Sequence, residues 1–302
     1  MTWTASVVHR LSLQAKENAR RVVSTLAFLF VSILAATVLF TCREEHTMNQ
    51  GHGKLASAVE TVASTKVFFG HQSVGNNILR GIRQLSEQTG VDLEISELDA
   101  RNHNGKTSTF GIAHARIGEN LKPKTKIAEF TRLMRTGLGK EVDIALMKFC
   151  YVDLQEGLDA EAVYSSYIAE MEQLEQEFPS TTFVYVTMPL SSPMTGFKNS
   201  LKRILGRLSM VDSGLVENVK RHEFNTLLRE GKGPTGRLFD LAAEESTTPS
   251  GDRYTVSVDG VDYEALYPPY SFDGGHLDQI GRERIAEELL RFLATAKTEA
   301  QD

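Results

Sequence analysis

The stretch Phe68-Phe69-Gly70-His71-Gln72-Ser73-Val74-Gly75-Asn76-Asn77 decides how this chain folds. A β-branched and aromatic run, Val67 to Phe69, stops at a glycine, and helical spacing begins at Ile78, Leu79, Ile82 and Leu85. Ser73 therefore falls on a strand-to-helix turn, where a hydroxyl stands at the carboxyl edge of a parallel sheet. The first amides of a helix have no partner inside it, so those that follow this turn can face an oxyanion.

Outward from that turn the alternation of strand and helix continues. Asn76–Gln88 is the helix of the first strand, and Leu93–Leu98 reads as a second strand. Asp143–Phe149 is a third, and Phe183–Met188 a fourth, ended by Pro189. Ala160–Phe178 is a helix between them, with Val163, Tyr167, Met171, Leu174 and Phe178 at steps of three and four. Residues 195–231 continue as helix, with Val219, Phe224, Leu227 and Leu228 facing inward, and Arg237–Asp240 is a short fifth strand. Tyr254–Val258 and Val261–Leu266 flank Asp259-Gly260, a pair suited to a primed hairpin turn. Arg282–Ala296 closes the chain as an amphipathic helix. The pattern predicts one α/β domain with a parallel sheet of about five strands covered by helices, and a decorated crossover from Pro189 to Tyr270.

Just before the closing helix stands Asp273-Gly274-Gly275-His276. Either polar block alone has a structural reading: Ser73 as a cap for its helix, Asp273 and His276 as residues of a polar loop. Together, in this order, they supply a nucleophile, a base and a group to orient the base. His276 can take the Ser73 proton, and Asp273 can fix the imidazole tautomer.

Composition narrows the alternatives. The 302 residues are 41% apolar and 24% charged, which suffices for a sizeable core. A net charge of −6, with no basic stripe outside the amino terminus, argues against nucleic acid as a partner. Cys42 and Cys150 give neither a disulfide framework nor metal-ligand spacing, and Cys150 reads as a buried small residue. His103 and His114 could join His71 around a metal, but no carboxylate or cysteine completes the set, so no metal is expected. Lys122–Lys126 reads as a solvated basic face. So does the group Lys198, Lys202, Arg203 and Arg207, which could also rest on anionic headgroups.

The amino terminus is organised differently. Residues 1–21 carry Arg10, Lys16, Arg20 and Arg21, and Val22–Phe40 is an uncharged apolar run of 19 residues. That length matches a transmembrane helix with its basic flank on the cytoplasmic side. Segment 22–41 is thus expected to be a membrane anchor or signal segment, 42–62 a polar linker, and 63–298 the globular domain outside the cytoplasm. Cleavage after Ala36 is a second reading; lipidation of Cys42 ranks last, because Thr41 fits poorly before it.

From about residue 65 to 296 the chain resembles the SGNH (GDSL-type) hydrolases, through the early serine turn, the α/β body and Asp273-Gly274-Gly275-His276-Leu277-Asp278-Gln279-Ile280-Gly281 before a helix. The resemblance implies a three-layer α/β/α fold with a flavodoxin-like sheet, and ester hydrolysis by Ser73, Asp273 and His276 without a cofactor. It also implies differences. His71-Gln72-Ser73 replaces the usual Gly-Asp-Ser. Gly118, in Arg116-Ile117-Gly118-Glu119-Asn120, is the expected glycine of the oxyanion site in preference to Gly111. Val152, in Cys150-Tyr151-Val152-Asp153, stands where the family has an asparagine donor. Asn120 or Asn76 is expected to substitute for that donor, or His71 and Gln72 to supply it. Acyl or acetyl esters follow as substrates, acetylated polysaccharide first and lipid esters next. The opposing readings are a non-catalytic envelope scaffold and an acyltransferase with the same triad.

Overall fold

A computed structural model describes residues 51–101, 109–155, 157–193 and 213–299, and the chain divides into two units, Met1–Lys54 and Leu55–Asp302. The second unit is built on a sheet of six strands: β1 (Lys66–His71), β2 (Ile95–Glu97), β3 (Gly111–Arg116), β4 (Ile144–Met147), β5 (Thr182–Val186) and β6 (Leu238–Phe239). Their order is β2-β3-β1-β4-β5-β6, and every pairing is parallel. From β1 the chain moves to one side for β2 and β3, then crosses to the other for β4. The carboxyl end of β1 is therefore the switch point at which such sheets open a crevice, and Ser73 lies there.

Alternation along each strand sets the layers. Val67 and Phe69 of β1 join one apolar cluster with Ile144, Leu146 and Val184, while Phe68 joins another with Ala145, Met147, Phe183 and Tyr185. The first cluster is completed by α1 (residues 51–63), α2 (Ser73–Thr89) and α7 (Gln279–Glu299). The second is completed by α3 (Pro123–Leu133), α4 (Ala160–Glu177) and α5 (Ser213–Lys232). A short α6 (Leu241–Ser246) follows β6. Helices α2 and α7 pack so closely that a Cβ on Gly81 would lie 2.3 Å from the Arg282 carbonyl oxygen. The Asp259-Gly260 turn joins β7 (Thr255–Val258) and β8 (Val261–Glu264) in an antiparallel hairpin, with φ of 52° and 80° at the two turn residues.

Three expectations need correction. The sheet has six strands rather than about five, because β3 supplies one that the periodicity missed. Of the stretch 42–62 read as a linker, residues 51–62 are helical, in a helix that ends at 63, and bury Leu55, Ala58, Val59 and Val62. Lys126, read as part of a solvated basic face, is wholly buried against Asp153. The apolar run Val22–Phe40, together with His103, Lys198, Lys202, Arg203 and Arg207, lies outside the described residues. Among the described residues no helix is long and apolar enough to cross a membrane.

Candidate active site

The turn after β1 puts Ser73 at the first position of α2, with Gln72 as the N-cap residue. Gln72 makes no side-chain cap; its amide nitrogen donates instead to the carbonyls of Ile117 and Gly118, each at 2.8 Å. The amides that open α2 thus keep their donors for something other than a local cap.

Ser73 Oγ lies 2.9 Å from His276 Nε2, and His276 Nδ1 lies 2.7 Å from Asp273 Oδ2. Asp273 can only accept, so the imidazole carries its proton on Nδ1, and Ser73 donates its hydroxyl proton to Nε2. The other Asp273 oxygen accepts the backbone N–H groups of Gly275 at 3.0 Å and His276 at 2.7 Å. Partial burial acts to raise the Asp273 pKa, but these bonds and the imidazole outweigh it and hold the carboxyl below its ordinary value.

Neighbouring elements brace this loop. Ser271 Oγ donates to the His276 carbonyl at 2.7 Å and accepts the Gly274 N–H at 2.9 Å. From the segment after β5, Ser192 N–H reaches the Gly274 carbonyl at 2.8 Å. Tyr151 meets the His276 ring edge-on at 5.7 Å, and Phe272, 69% exposed, stacks on it at 6.1 Å. The Tyr151 ring also fills the space beside Gly275, where a Cβ would come within 2.4 Å of it. Arg221 of α5, buried, donates to the Tyr151 carbonyl, to Ser191 Oγ at 2.7 Å and to Asn218 Oδ1 at 2.8 Å. Burial above all pushes the Tyr151 phenol up to about 12, so it stays a neutral donor. The sequence reading missed Tyr151, Phe272 and Arg221; only the closeness of Tyr151 to the divergent Val152 block pointed to any of them.

The expected oxyanion donors are placed differently. The Gly118 N–H donates to Glu129 Oε2 at 2.6 Å, so it is not presented to the crevice as a free donor. The Gln72 amide is spent on the two carbonyls already named. His71 is buried with both ring nitrogens bonded, Nδ1 at 2.7 Å from the Gln72 carbonyl oxygen and Nε2 at 3.0 Å from His114 Nδ1. Burial depresses its pKa to about 3, so the ring is neutral. Asn120 sits exposed on the loop after β3, its Oδ1 accepting from Lys126 Nζ at 3.0 Å, and Lys126 is itself paired with the buried Asp153. Asp153 also accepts the backbone N–H groups of Leu121 at 3.0 Å and Cys150 at 2.6 Å, tying together the two loops that flank the turn. Cys150 is buried with a free thiol.

Among the described residues, two hollows are well formed. One of about 580 Å³ lies beside the nucleophile turn and is lined by Gln72, Glu97, Asp99, Arg101, Arg116 and Glu129, among others. A larger one of about 720 Å³, between α3 and α4, lies away from Ser73 and is lined by Lys124, Arg132 and Glu170 among others. Among the described residues no group of three or more His, Cys, Asp or Glu side chains could hold a metal ion.

A parallel α/β sheet thus carries a hydrogen-bonded serine, histidine and aspartate at its switch point. No protein-family model matches the chain, and no curated protein matches it. Among solved structures it is similar to a protein described as a platelet activating factor from Streptococcus pneumonia, at 14% identity and a TM-score of 0.44, over 85% of this chain and 96% of that one. It is similar also to a protein assigned to the G-D-S-L lipolytic family from Desulfitobacterium hafniense, at 11% identity and 0.42, over 76% and 99%. A third is the periplasmic domain of a Salmonella ser. Paratyphi A lipopolysaccharide acetyltransferase, at 13% and 0.40, over 74% and 82%. At such scores the likeness is no argument about chemistry, which rests on the distances at Ser73, His276 and Asp273.

Proposed function

We propose that the protein is a serine esterase of the SGNH type that cleaves acyl esters. The observation that carries this reading is the unbroken row Ser73 Oγ, His276 Nε2 at 2.9 Å, and His276 Nδ1 to Asp273 Oδ2 at 2.7 Å. Ser73 attacks the ester carbonyl while its proton passes to His276 Nε2. The tetrahedral intermediate collapses, and His276 returns that proton to the departing alcohol, leaving an acyl-serine. Water repeats the sequence: its proton goes to His276, the acid leaves, and Ser73 regains its hydrogen. Asp273 keeps the proton on Nδ1 and stabilises the imidazolium of each step. The Ser73 N–H and the side-chain amide of Asn120 stabilise the oxyanion, Asn120 taking the place that Val152 leaves empty.

Acyl or O-acetyl esters are the substrate class, acetylated polysaccharide the first to screen. The apolar run Val22–Phe40, preceded by basic residues, supports a membrane-anchored protein with this domain outside the cytoplasm. The test is fluorophosphonate labelling of the full chain with peptide mapping, alongside Ser73→Ala and His276→Ala. The expected result is labelling confined to Ser73 and lost in both variants. Folded protein that stays unlabelled overturns the esterase in favour of a non-catalytic envelope scaffold, the reading that Val152 and the Glu129-bound Gly118 amide support.

A further inference from the structure

The residue before Gln72 has no evident place in this mechanism, yet it is a fully buried histidine directly under the nucleophile's turn. Its ring fills the space that a side chain at position 75 would take: a Cβ on Gly75 would lie 2.3 Å from the His71 Cγ. The Gln72 carbonyl oxygen can only accept, so His71 carries its proton on Nδ1 and bonds that oxygen at 2.7 Å. His71 Nε2 is then a bare lone pair, and His114 must donate to it from Nδ1 at 3.0 Å. This assignment leaves His114 Nε2 as a bare acceptor, in keeping with its being buried with no hydrogen-bond partner among the described residues. One tautomer per ring follows, and the direction of donation runs from His114 to His71 to the Gln72 carbonyl.

That carbonyl belongs to the same planar peptide unit as the Ser73 N–H. Fixing the oxygen on one side fixes the direction of the N–H on the other. Donation into a carbonyl also polarises the amide and strengthens its N–H as a donor. We propose that His71, held in one tautomer by His114, is a positioning residue that aims the Ser73 amide at the oxyanion through the Gln72–Ser73 peptide. His71 touches no reacting atom and acts only through that peptide. The inference rests on the esterase reading above.

The test uses the full-length chain as wild type, His71→Phe and His71→Asn. Phenylalanine fills the site without an N–H; asparagine keeps an N–H at the reach of Nδ1. Loss of an oxyanion donor costs on the order of a hundredfold in kcat, so His71→Phe should fall by about that factor with KM within about threefold. His71→Asn should recover at least about tenfold of the loss, a split that a merely structural role would not produce. In the fluorophosphonate adduct, whose phosphoryl oxygen mimics the oxyanion, the Ser73 amide proton should move downfield in wild type and His71→Asn but not in His71→Phe. Nitrogen-15 spectra of wild type, which need no variant to fold, should show His71 protonated on Nδ1. Wild-type kcat in His71→Phe, an Asn variant as impaired as the Phe variant, or an Nε2-protonated His71 would each overturn the inference while leaving the esterase standing. Wild-type protein that fails to label overturns both.

Discussion

At the scale of single residues, the proposed site joins a readable part to an unreadable one. Ser73, Asp273 and His276 stood out because two are near neighbours in sequence and the third sits on a turn with a clear strand-to-helix pattern. The oxyanion donors did not, because whether an amide is free depends on partners that spacing cannot reveal. Gly118 shows this: nothing in Arg116-Ile117-Gly118 tells that Glu129, on the next helix, takes its N–H. Lys126 shows it again, since a lysine in a basic run became a buried strut between Asn120 and Asp153. That strut leads to a prediction about Asn120, whose oxygen is held by Lys126 and whose NH2 is the donor the proposed oxyanion site needs. Asn120→Ala should lower kcat about a hundredfold with little change in KM, measured with a chromogenic acetyl ester. Lys126→Met should lower kcat in the same direction and also destabilise the fold, since it leaves Asp153 buried without its charge partner.

At the scale of elements, strands with clean apolar runs were legible and one with polar interruptions was not. Gly111–Arg116 is buried at five of its six positions, yet its run is Ile112, Ala113, His114, Ala115, with the small alanines giving little signal. His114 reads from the sequence as a candidate metal ligand beside His71, whereas in the fold it is bonded to the His71 ring, 43 positions away in sequence. The amino-terminal helix was missed for a different reason: His52, Gly51 and Gly53 dominate its start, and its buried face shows only at Leu55, Ala58, Val59 and Val62. Those side chains belong to the core, so this element should not behave as a tether. A fragment of residues 64–302 should melt well below one of residues 43–302 in a thermal scan, since each large apolar side chain that loses its burial partners forfeits roughly 1.5–3 kcal/mol.

At the scale of the whole molecule, a carboxyl buried on α6 makes stability respond to pH. Glu245 on α6 is wholly buried; Oε2 accepts the Leu190 N–H at 2.6 Å, while Oε1 has no hydrogen-bond partner among the described residues. Burial pushes its pKa from 4.5 up to about 8, against the pull of Lys148 and Arg221. The folded state therefore keeps a proton that the unfolded chain has released, and the stability this gives is present below 4.5 and lost as pH climbs to about 8. Melting temperature, followed from pH 5 to 9, should fall more steeply for wild type than for Glu245→Gln, which has no proton to lose.

Ser73 and His276 lie 203 positions apart, one opening the second helix of the fold and the other preceding its last. A chain made from its amino end carries its serine long before the histidine that would activate it exists. On the esterase reading, that hydroxyl stays an ordinary alcohol until the final helix docks beside Gly81. On the esterase reading, a chain cut short before residue 276 should not label with a fluorophosphonate, however well its first half folded.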